Sequence, residues 1–526
     1  MRFKLRISRN GFLLIVTAFL AAYYIWVGIY MNGLGYYNLE SLFFIEKSRV
    51  VFEGLGYKLK IIGLTSPLLP FYGTFIFTLV SSLLAPVFAS AVGTAVLFYL
   101  IAVTLTRYNN QDDTLYLAMV LVLFMFHPGI IYTASSGKSI YLVLVFFFMF
   151  YWNIFRYYQS NTTFHVSIAS LCLVLLIFSD YKFIWLTLFF IPLVFSIAVH
   201  SLNLGEKESI FRISISFNNP SLRRKLINKT FAMYVILFLL PVASIVCYKM
   251  LNLTNANDLE YFHESPYATW SVLAERLNYE QLIMATDFKS PDVSMLISAK
   301  ILLICPLILV AIYLFREANY QILTLVTPFA LVEFLHIKYD KVSISIEYYL
   351  IFIVLALLAI TVKAHTIKRE LTFKIILGVL TLAMLFSGYY YMKNSPITEE
   401  RNFITTLITH DPDSQQDENK DIANYINSLP DKSKILVDDS ICYPIVAFTY
   451  NVKNLVMPYQ DDFMSAIEAP WNYVDYVLIA TGKNPLNGYS ILNPRYGPVL
   501  NAVNSNFQLV YATDNWSLYR LPGHGE

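Results

Sequence analysis

The sequence predicts a polytopic α-helical membrane protein with about eleven transmembrane helices and a small α/β domain at its carboxyl-terminal end. Two observations lead to this fold class. The chain is 57% hydrophobic and only 14% charged, whereas soluble domains carry about 25% charged residues. In addition, the uncharged apolar run at 11–31 is long enough to cross a bilayer, and about ten similar runs follow before residue 393.

The predicted transmembrane helices are apolar runs of roughly twenty residues. They cover 11–31, 84–106, 113–133, 139–155, 164–180, 183–201, 230–250, 293–315, 321–337, 346–364 and 373–392. No small-residue cleavage site follows the first run, so we expect it to stay in the membrane and not to be removed as a signal peptide.

Basic residues near the helix ends predict the orientation of the chain. Lys and Arg cluster before the first helix (2–9), before the seventh (223–229) and between the tenth and the eleventh (363–374). With an odd number of crossings, all three clusters fall on one side of the membrane. We therefore expect a multi-pass protein of the cell membrane with a cytoplasmic amino terminus and an extracytoplasmic carboxyl-terminal domain.

The predicted domains are a transmembrane domain at 1–392, a polar linker at 393–414 and an extracytoplasmic α/β domain at 415–526. The transmembrane domain has a long first outer loop at 32–83, in which Asn38 is a suitable cap for a short helix. The apolar stretch at 68–83 is expected to lie on the membrane surface.

The outer domain combines one predicted helix with several strands. DIANYINSLP has a helical pattern, and KILVDD, VDYVLIA, FQLVYAT and WSLYRL have strand patterns. We expect Asp438 and Asp439 to form the solvated end of the first strand, because no His or third acid lies at ligand spacing from them. The domain is expected to support acceptor selection or stability and not to be the catalytic unit.

Ionisable residues near the membrane are candidate functional groups, because a charge in lipid is costly. The candidates are Glu40, Lys138, Asp180, Lys182, His336, Lys338, Asp340, Lys341 and Glu347. All of them lie at the outer ends of predicted helices, so we expect them to converge on one cavity near the outer leaflet. A carboxylate in such a cavity can act as a general base or hold a divalent metal ion, and lysines can stabilise a departing phosphate.

Each candidate also has a structural explanation. Glu40 can complement the positive end of its own helix, and Lys182 can pair with Asp180 or reach the lipid headgroups. Lys138 can be an interfacial anchor, and His336 can be a satisfied residue of the membrane interface.

Two further acids, Glu46 and Glu53, lie farther along the first outer helix. We expect Glu46 to pair with Arg49 or to face solvent, so that both acids would serve as neutral controls for Glu40.

Four parts of the chain resemble a known superfamily. They are NLESLFFIEKSRVVFEGLGY with SPLLPFY, then FHPGIIYTASSGKSIYLVLV, then FSDYKFIWLTLFFIPLVF, and finally the pattern of the soluble tail. Together they resemble the GT-C superfamily of integral-membrane glycosyltransferases, in particular the branch of protein O-mannosyltransferases and the lipid A aminoarabinose transferase. The chain departs from this pattern at Leu39 and Lys138, where relatives commonly carry an acid.

The resemblance implies an enzyme that transfers a sugar, with inversion, from a polyprenyl-phosphate donor to a glycan, lipid or protein acceptor outside the cell. The implied site consists of Glu40 as the catalytic base, Lys182, Lys338 and Lys138 as ligands of the donor phosphate, and Tyr348 and His336 as lining of the donor pocket. The apolar groove beside the stretch at 68–83 would take the isoprenoid.

The implied partners are this donor, membrane lipid and an acceptor of unknown identity. The net charge of +2 argues against a nucleic-acid partner, which needs a clustered basic face. The sequence establishes no cofactor, and a requirement for a divalent metal ion stays open.

Two other classes of function are compatible with the sequence. One is a transporter or flippase for a lipid carrier, although the chain lacks the internal repeats of many transporters. The other is a catalytically silent GT-C relative, because Leu39 occupies a position that is commonly acidic.

Overall fold

The structure is a computed structural model that describes residues 8–62, 64–108, 114–202, 218–268, 297–316, 319–338, 345–363, 370–500 and 507–522. The predicted candidates Asp340 and Lys341 lie outside these ranges. The helices before residue 394 are α1 (Arg9–Gly33), α2 (Leu39–Glu53), α3 (Leu68–Thr78), α4 (Ala85–Tyr108), α5 (Thr114–Phe126), α6 (Pro128–Ser135), α7 (Ile140–Ser160), α8 (Thr163–Ser179), α9 (Ile184–Ser201), α10 (Pro220–Ala256), α11 (Tyr261–Glu264), α12 (Ile297–Ile304), α13 (Leu307–Phe315), α14 (Asn319–Lys338), α15 (Ile346–Lys363) and α16 (Glu370–Lys393).

The predicted class of a polytopic helical membrane protein is confirmed in outline. Within the described ranges, 8 helices are long and apolar enough to cross a membrane, or up to 10 if each of two bent helix pairs counts as one span. The predicted run at 164–180 corresponds to α8, which has 17 residues and is slightly shorter than these. The stretch at 68–83 forms the short helix α3 of 11 residues. The count of about eleven spans stays a prediction.

Two predicted spans are broken helices. The run at 113–133 bends by 61° between α5 and α6, and the break falls at His127, whose backbone is extended ahead of Pro128. The cause is the proline, which disfavours helical geometry in the residue before it. All eight residues of α6 are buried, so the bend directs the chain inward, toward Lys138. The run at 293–315 bends by 104° between α12 and α13.

Helix α15 lies at the centre of the helical part. It is apolar around its whole circumference, which is the pattern of a fully buried helix, and nearly all of its residues are buried. It packs against α4, α6, α7 and α13. The first turn of α15 carries Glu347 and Tyr348, and the central position of the helix therefore places both side chains among several neighbouring elements.

The carboxyl-terminal part contains the predicted sheet. Its elements are α17 (Thr398–Thr409), α18 (Asp417–Ser428), β1 (Ile435–Leu436), α19 (Asp439–Phe448), β2 (Leu455–Val456), α20 (Asp462–Glu468), β3 (Tyr476–Ala480), α21 (Leu492–Leu500), β4 (Gln508–Ala512) and β5 (Trp516–Arg520). The five strands lie in the order β2-β1-β3-β5-β4. β1 is parallel to β2 and β3, whereas β5 is antiparallel to β3 and β4. The patterns of KILVDD, VDYVLIA, FQLVYAT and WSLYRL correspond to β1, β3, β4 and β5, and β2 was not predicted.

The segment predicted as a linker at 393–414 contains helix α17. Its residues Glu399, Glu400 and Phe403 are buried, and the helix packs against α1, α6 and α16. This segment therefore belongs to the packed structure, and it connects the last long apolar helix to the sheet.

Helix α2 of the first loop packs against α19 of the carboxyl-terminal part and against α3. Hydrophobic side chains of α2, including Phe43 and Phe44, form a buried cluster with Tyr443 and Ala447 of α19. Since the two segments are in contact, the first loop and the sheet lie on the same side of any membrane that the apolar helices cross.

We predict that this shared side is extracytoplasmic, because the basic clusters put the amino terminus inside. In a Cys247→Ser background, which removes the exposed native thiol, a Leu55→Cys variant should react with a membrane-impermeant maleimide on intact cells. Leu55 is 57% exposed. A Lys225→Cys variant, also exposed, should react only after permeabilisation.

A reporter fused after residue 526 provides the second measurement of this orientation. It should be active outside the cytoplasm and silent inside. Labelling of Lys225→Cys on intact cells, together with a cytoplasmic reporter signal, would invert the orientation.

Candidate functional site

The candidate site lies where the first turns of α2 and α15 meet the connection between α6 and α7. Glu40 is the second residue of α2, and Glu347 is the second residue of α15. The side chain of Asn38 caps α2 by accepting the backbone N–H groups of Glu40 at 3.0 Å and Ser41 at 3.4 Å. In the connection, Gly137 adopts a φ of +81°, and a Cβ there would meet the Ser41 hydroxyl at 2.7 Å. Only glycine allows this close approach.

Lys138 lies between the two carboxylates. Its Nζ forms an ion pair with Glu347 and lies 3.9 Å from Oε2 of Glu40, and all three side chains are at most 15% exposed. Burial lowers the pKa of Lys138, but Glu347 and Glu40 outweigh this effect and raise the pKa above its ordinary value. Lys138 therefore stays charged and is held by residues of the chain itself.

Glu40 is held on one oxygen and open on the other. Its Oε1 accepts the backbone N–H of Ser139 at 3.0 Å and also the Ser139 hydroxyl. The ammonium of Lys138 lies 3.9 Å from its Oε2, which is too far for a hydrogen bond. Burial raises the pKa of Glu40, Lys138 lowers it, and Glu347 raises it, so that the pKa lies above the ordinary value. A carboxylate with a raised pKa is a stronger proton acceptor than an exposed glutamate.

A second cation lies beside the next residue of α15. Lys182 donates a hydrogen bond from Nζ to the hydroxyl of Tyr348 at 2.7 Å and lies 3.7 Å from Asp180 Oδ2. Because Tyr348 follows Glu347 directly, the first turn of α15 connects the surroundings of Lys138 to those of Lys182.

Lys338 and His336 lie in the last turn of α14. The Lys338 ammonium lies 3.5 Å from the centre of the Trp185 ring, in a cation–π arrangement. Lys182 and Lys338 both lower the pKa of His263 on α11, although burial is the largest cause and Glu260 and Glu264 raise that pKa. The two lysines thus share the neighbourhood of His263. His336 is half-buried, and its part in the site rests on its position alone.

An apolar groove leads up to this cluster. It is lined by the start of α3, the end of α8, α10 and α11. Pro67, Leu68, Phe178, Tyr181 and Tyr248 are among its lining residues. Tyr181 directly precedes Lys182, so one lining residue of the groove is the chain neighbour of a cation.

A buried ion cluster joins α2 to the carboxyl-terminal part. Lys47 Nζ lies 2.5 Å from Asp439 Oδ2 and 3.0 Å from Glu46 Oε2. It also donates to the Tyr459 hydroxyl, and its ammonium lies 4.7 Å from the centre of the Phe43 ring. The side chains of Lys47, Glu46 and Asp439 are 0% exposed. This cluster fixes the helix whose first turn carries Glu40.

Two predictions from the sequence are wrong at this cluster. Asp438 and Asp439 were expected to be solvated, but they are 1% and 0% exposed. Asp438 caps α19 through Ser440 N and accepts Ile491 N at 2.7 Å, and Asp439 pairs with Lys47. Glu46 was expected to face solvent or pair with Arg49, but it lies beside Lys47, so it is not a neutral control. Contacts across the domain boundary decide both outcomes.

Several residues of the site escaped the sequence analysis. Ser139 holds Glu40, and Glu399 and Glu400 hold the starts of two helices. The sequence signal that could have identified Glu399 and Glu400 is a pair of adjacent acids shortly after a long apolar helix. In the described part of the chain, no three His, Cys, Asp or Glu side chains are grouped to hold a metal ion, and Glu40 and Glu347 both face the ammonium of Lys138.

The buried position of Glu46 predicts a pH dependence of stability. Burial raises its pKa to about 8, Asp439 adds to the rise and Lys47 opposes it. The folded protein therefore keeps a proton that the unfolded chain loses above its ordinary pKa of about 4.3. Between these two values, stability falls as the pH rises.

We expect the melting temperature of the detergent-solubilised protein to fall between pH 5 and pH 8, and the Glu46→Gln variant to lose a large part of this slope. Glu53→Gln, at an exposed position of the same helix, is the matched control and should keep the wild-type slope. Equal slopes in all three proteins would show that Glu46 is ionised throughout.

Comparison with known proteins does not assign a function to this chain. No family model matches the chain, and no curated protein matches it.

Proposed function

We propose that the protein is a membrane glycosyltransferase of the GT-C type, which transfers a sugar from a polyprenyl-phosphate carrier to an extracytoplasmic acceptor. The observation that supports this proposal most is the arrangement around Glu40. A largely buried carboxylate, open on Oε2 and with a raised pKa, lies beside Lys138, and the first turn of α15 connects this place to Lys182, next to an apolar groove. A base, a cationic phosphate site and a lipid groove are the three parts that this reaction needs.

The proposed reaction is a single inverting displacement. The acceptor hydroxyl oxygen attacks the anomeric carbon of the donor sugar from the face opposite the phosphate. The bond between that carbon and the phosphate oxygen breaks, and polyprenyl phosphate leaves with the electron pair. Glu40 takes the proton of the acceptor hydroxyl through Oε2, which makes the oxygen a better nucleophile as the new bond forms.

The charge that develops on the departing phosphate needs compensation. We assign this role to Lys182 and Lys338, which share the neighbourhood of His263, with Tyr348 and His336 lining the donor pocket. Cations placed where negative charge develops stabilise the transition state in a water-poor site. The isoprenoid would lie in the groove between α3 and α8, whose lining includes Tyr181.

The role of Lys138 changes from the one that the family resemblance implies. Since it pairs with Glu347 and lies near Glu40, its charge is already balanced. We propose that Lys138 orients Glu40 and does not bind the donor phosphate. This assignment gives a role to Lys138, which stands where the family pattern commonly has an acid.

A second candidate function is carrier binding without transfer. It is favoured by the same contact, because a carboxylate near a charged lysine is a weaker base than an isolated one. Incubation of the purified protein in nanodiscs with a radiolabelled polyprenyl-phosphate sugar and a panel of acceptors separates the two functions. Binding of the carrier without any transfer would support the silent relative, and carrier movement across the bilayer of sealed vesicles that contain the protein would support a flippase.

Glu40→Gln is the sharpest test of the proposed base. The change keeps the size of the side chain and removes its ability to accept a proton. If Glu40 is the base, turnover should fall by about 100-fold or more with the protein still folded. If Glu40 is only a charge in the first turn of α2, the change should cost at most about 1 kcal/mol of stability and leave transfer nearly intact.

Glu53→Gln is the matched control, because Glu53 lies on the same helix and is exposed. It should retain wild-type turnover. The rate of the wild-type enzyme should rise with pH as Glu40 loses its proton. Unchanged turnover in a well-folded Glu40→Gln preparation would remove Glu40 from the mechanism.

A further inference from the structure

Two consecutive acids after the last long apolar helix hold the starts of two different helices. Glu399 accepts the backbone N–H of Leu39 on Oε1 and the side-chain amide of Asn38 on Oε2, both at 2.9 Å. It is 9% exposed. Leu39 is the first residue of α2, and Asn38 is its cap. Glu399 therefore fixes the position at which α2 begins.

Glu400 makes the corresponding contacts with α15. Its Oε1 accepts the backbone N–H of Ile346 and the hydroxyl of Ser345, both at 2.9 Å. Its Oε2 accepts the hydroxyl of Ser395 at 2.6 Å, and the residue is fully buried. Ile346 is the first residue of α15.

The two sets of contacts have the same geometry relative to the site. In each helix, the residue whose N–H is accepted stands directly before the acid that flanks Lys138: Leu39 before Glu40, and Ile346 before Glu347. The first N–H groups of a helix have no partner within the helix, and a carboxylate is the favourable partner at this positive end. Because Glu399 and Glu400 are neighbours in α17, one helix sets the spacing of both acids.

We propose that Glu399 and Glu400 are positioning residues that hold Glu40 and Glu347 at their places around Lys138. Neither residue is assigned a contact with substrate. Both act through the first turns of α2 and α15, and the segment that leads into the carboxyl-terminal domain thereby becomes part of the site. The effect on catalysis rests on the proposed function, whereas the effect on geometry does not.

Glutamine cannot replace Glu399 without loss, and alanine removes every contact of Glu400. Each carboxylate accepts hydrogen bonds on both of its oxygens, whereas an amide offers one oxygen and one NH2 group. At position 399 the NH2 group would face the Asn38 amide or the Leu39 N–H, which leaves that donor without its acceptor. At position 400 it could donate to the Ser395 hydroxyl, which also accepts, so Glu400→Ala is the informative change there. Glu418→Gln is the matched control. Glu418 also accepts a backbone N–H, that of Asn515 at 2.9 Å, but in the carboxyl-terminal domain.

The geometric part is tested on the full-length protein in nanodiscs, without substrate. Amide hydrogen exchange should become several-fold faster in the peptide that contains Leu39 for Glu399→Gln, and in the peptide that contains Ile346 for Glu400→Ala. Labelling of the Lys138 amine by acetic anhydride should increase several-fold in the double variant. Glu418→Gln should change neither readout. Wild-type exchange and labelling in both single variants would overturn the proposal.

The catalytic part is tested with the radiolabelled donor. A small misplacement of a reacting group costs up to about 100-fold in rate, so the kcat of each variant should fall by about 10- to 100-fold with KM within about 3-fold. The pH at which the rate is half-maximal should also shift, because the surroundings of Glu40 change. Unaltered kcat and pH profile in both variants would overturn the catalytic role.

The outcomes distinguish the two proposals. If the wild-type protein transfers no sugar, the proposed function fails, and exchange and labelling alone decide whether the two acids position the site. If the Glu400→Ala variant does not fold, Glu400→Asp takes its place, because it keeps the charge and withdraws the carboxylate from the Ile346 N–H by one methylene. Faster exchange near Ile346 in Glu400→Asp then supports the proposal, and unchanged exchange contradicts it.

Discussion

The ammonium of Lys47 is the contact on which the placement of the candidate site depends. It is 0% exposed and lies between Glu46, Asp439 and the Tyr459 hydroxyl. A buried ion cluster adds little net stability because desolvation of the charges is costly, but breaking one partner away is strongly unfavourable. Helix α2 therefore has one position against α19. The contact of Lys47, farther along the same helix, thus helps to hold the first turn with Glu40 in place.

Helix starts provide the second constraint on the site. Glu40 and Glu347 both occupy the first turn of a helix, and both first turns are held by buried acceptors: Glu399 for α2 and Glu400 for α15. Acidic side chains are favourable at these ends because the unpaired N–H groups carry partial positive charge. The same local electrostatics thus gathers four carboxylates, and the ammonium of Lys138 lies between two of them, Glu40 and Glu347.

Burial then changes the chemistry of these groups. Glu40 lies beside one lysine and one carboxylate in a place that is largely closed to water, and its pKa is raised. In an open solvated loop, the same residue would be an ordinary surface acid. The proposed role of Glu40 as a base follows from this buried position. The proposed role of Lys182 as a phosphate ligand likewise follows from its place beside an apolar groove, and neither role follows from the residue type alone.

The sequence by itself determined the apolar helices, most strands of the terminal sheet and the cap at Asn38, because hydropathy and capping are properties of neighbouring residues. It also singled out Glu40, Lys138, Lys182 and Glu347 as costly charges near the membrane. Only the tertiary structure decided which charges pair. Lys47 and Asp439 are 392 positions apart, and Leu39 and Glu399 are 360 apart. No local pattern encodes such contacts, because they arise when separate helices pack and exclude water from the groups between them.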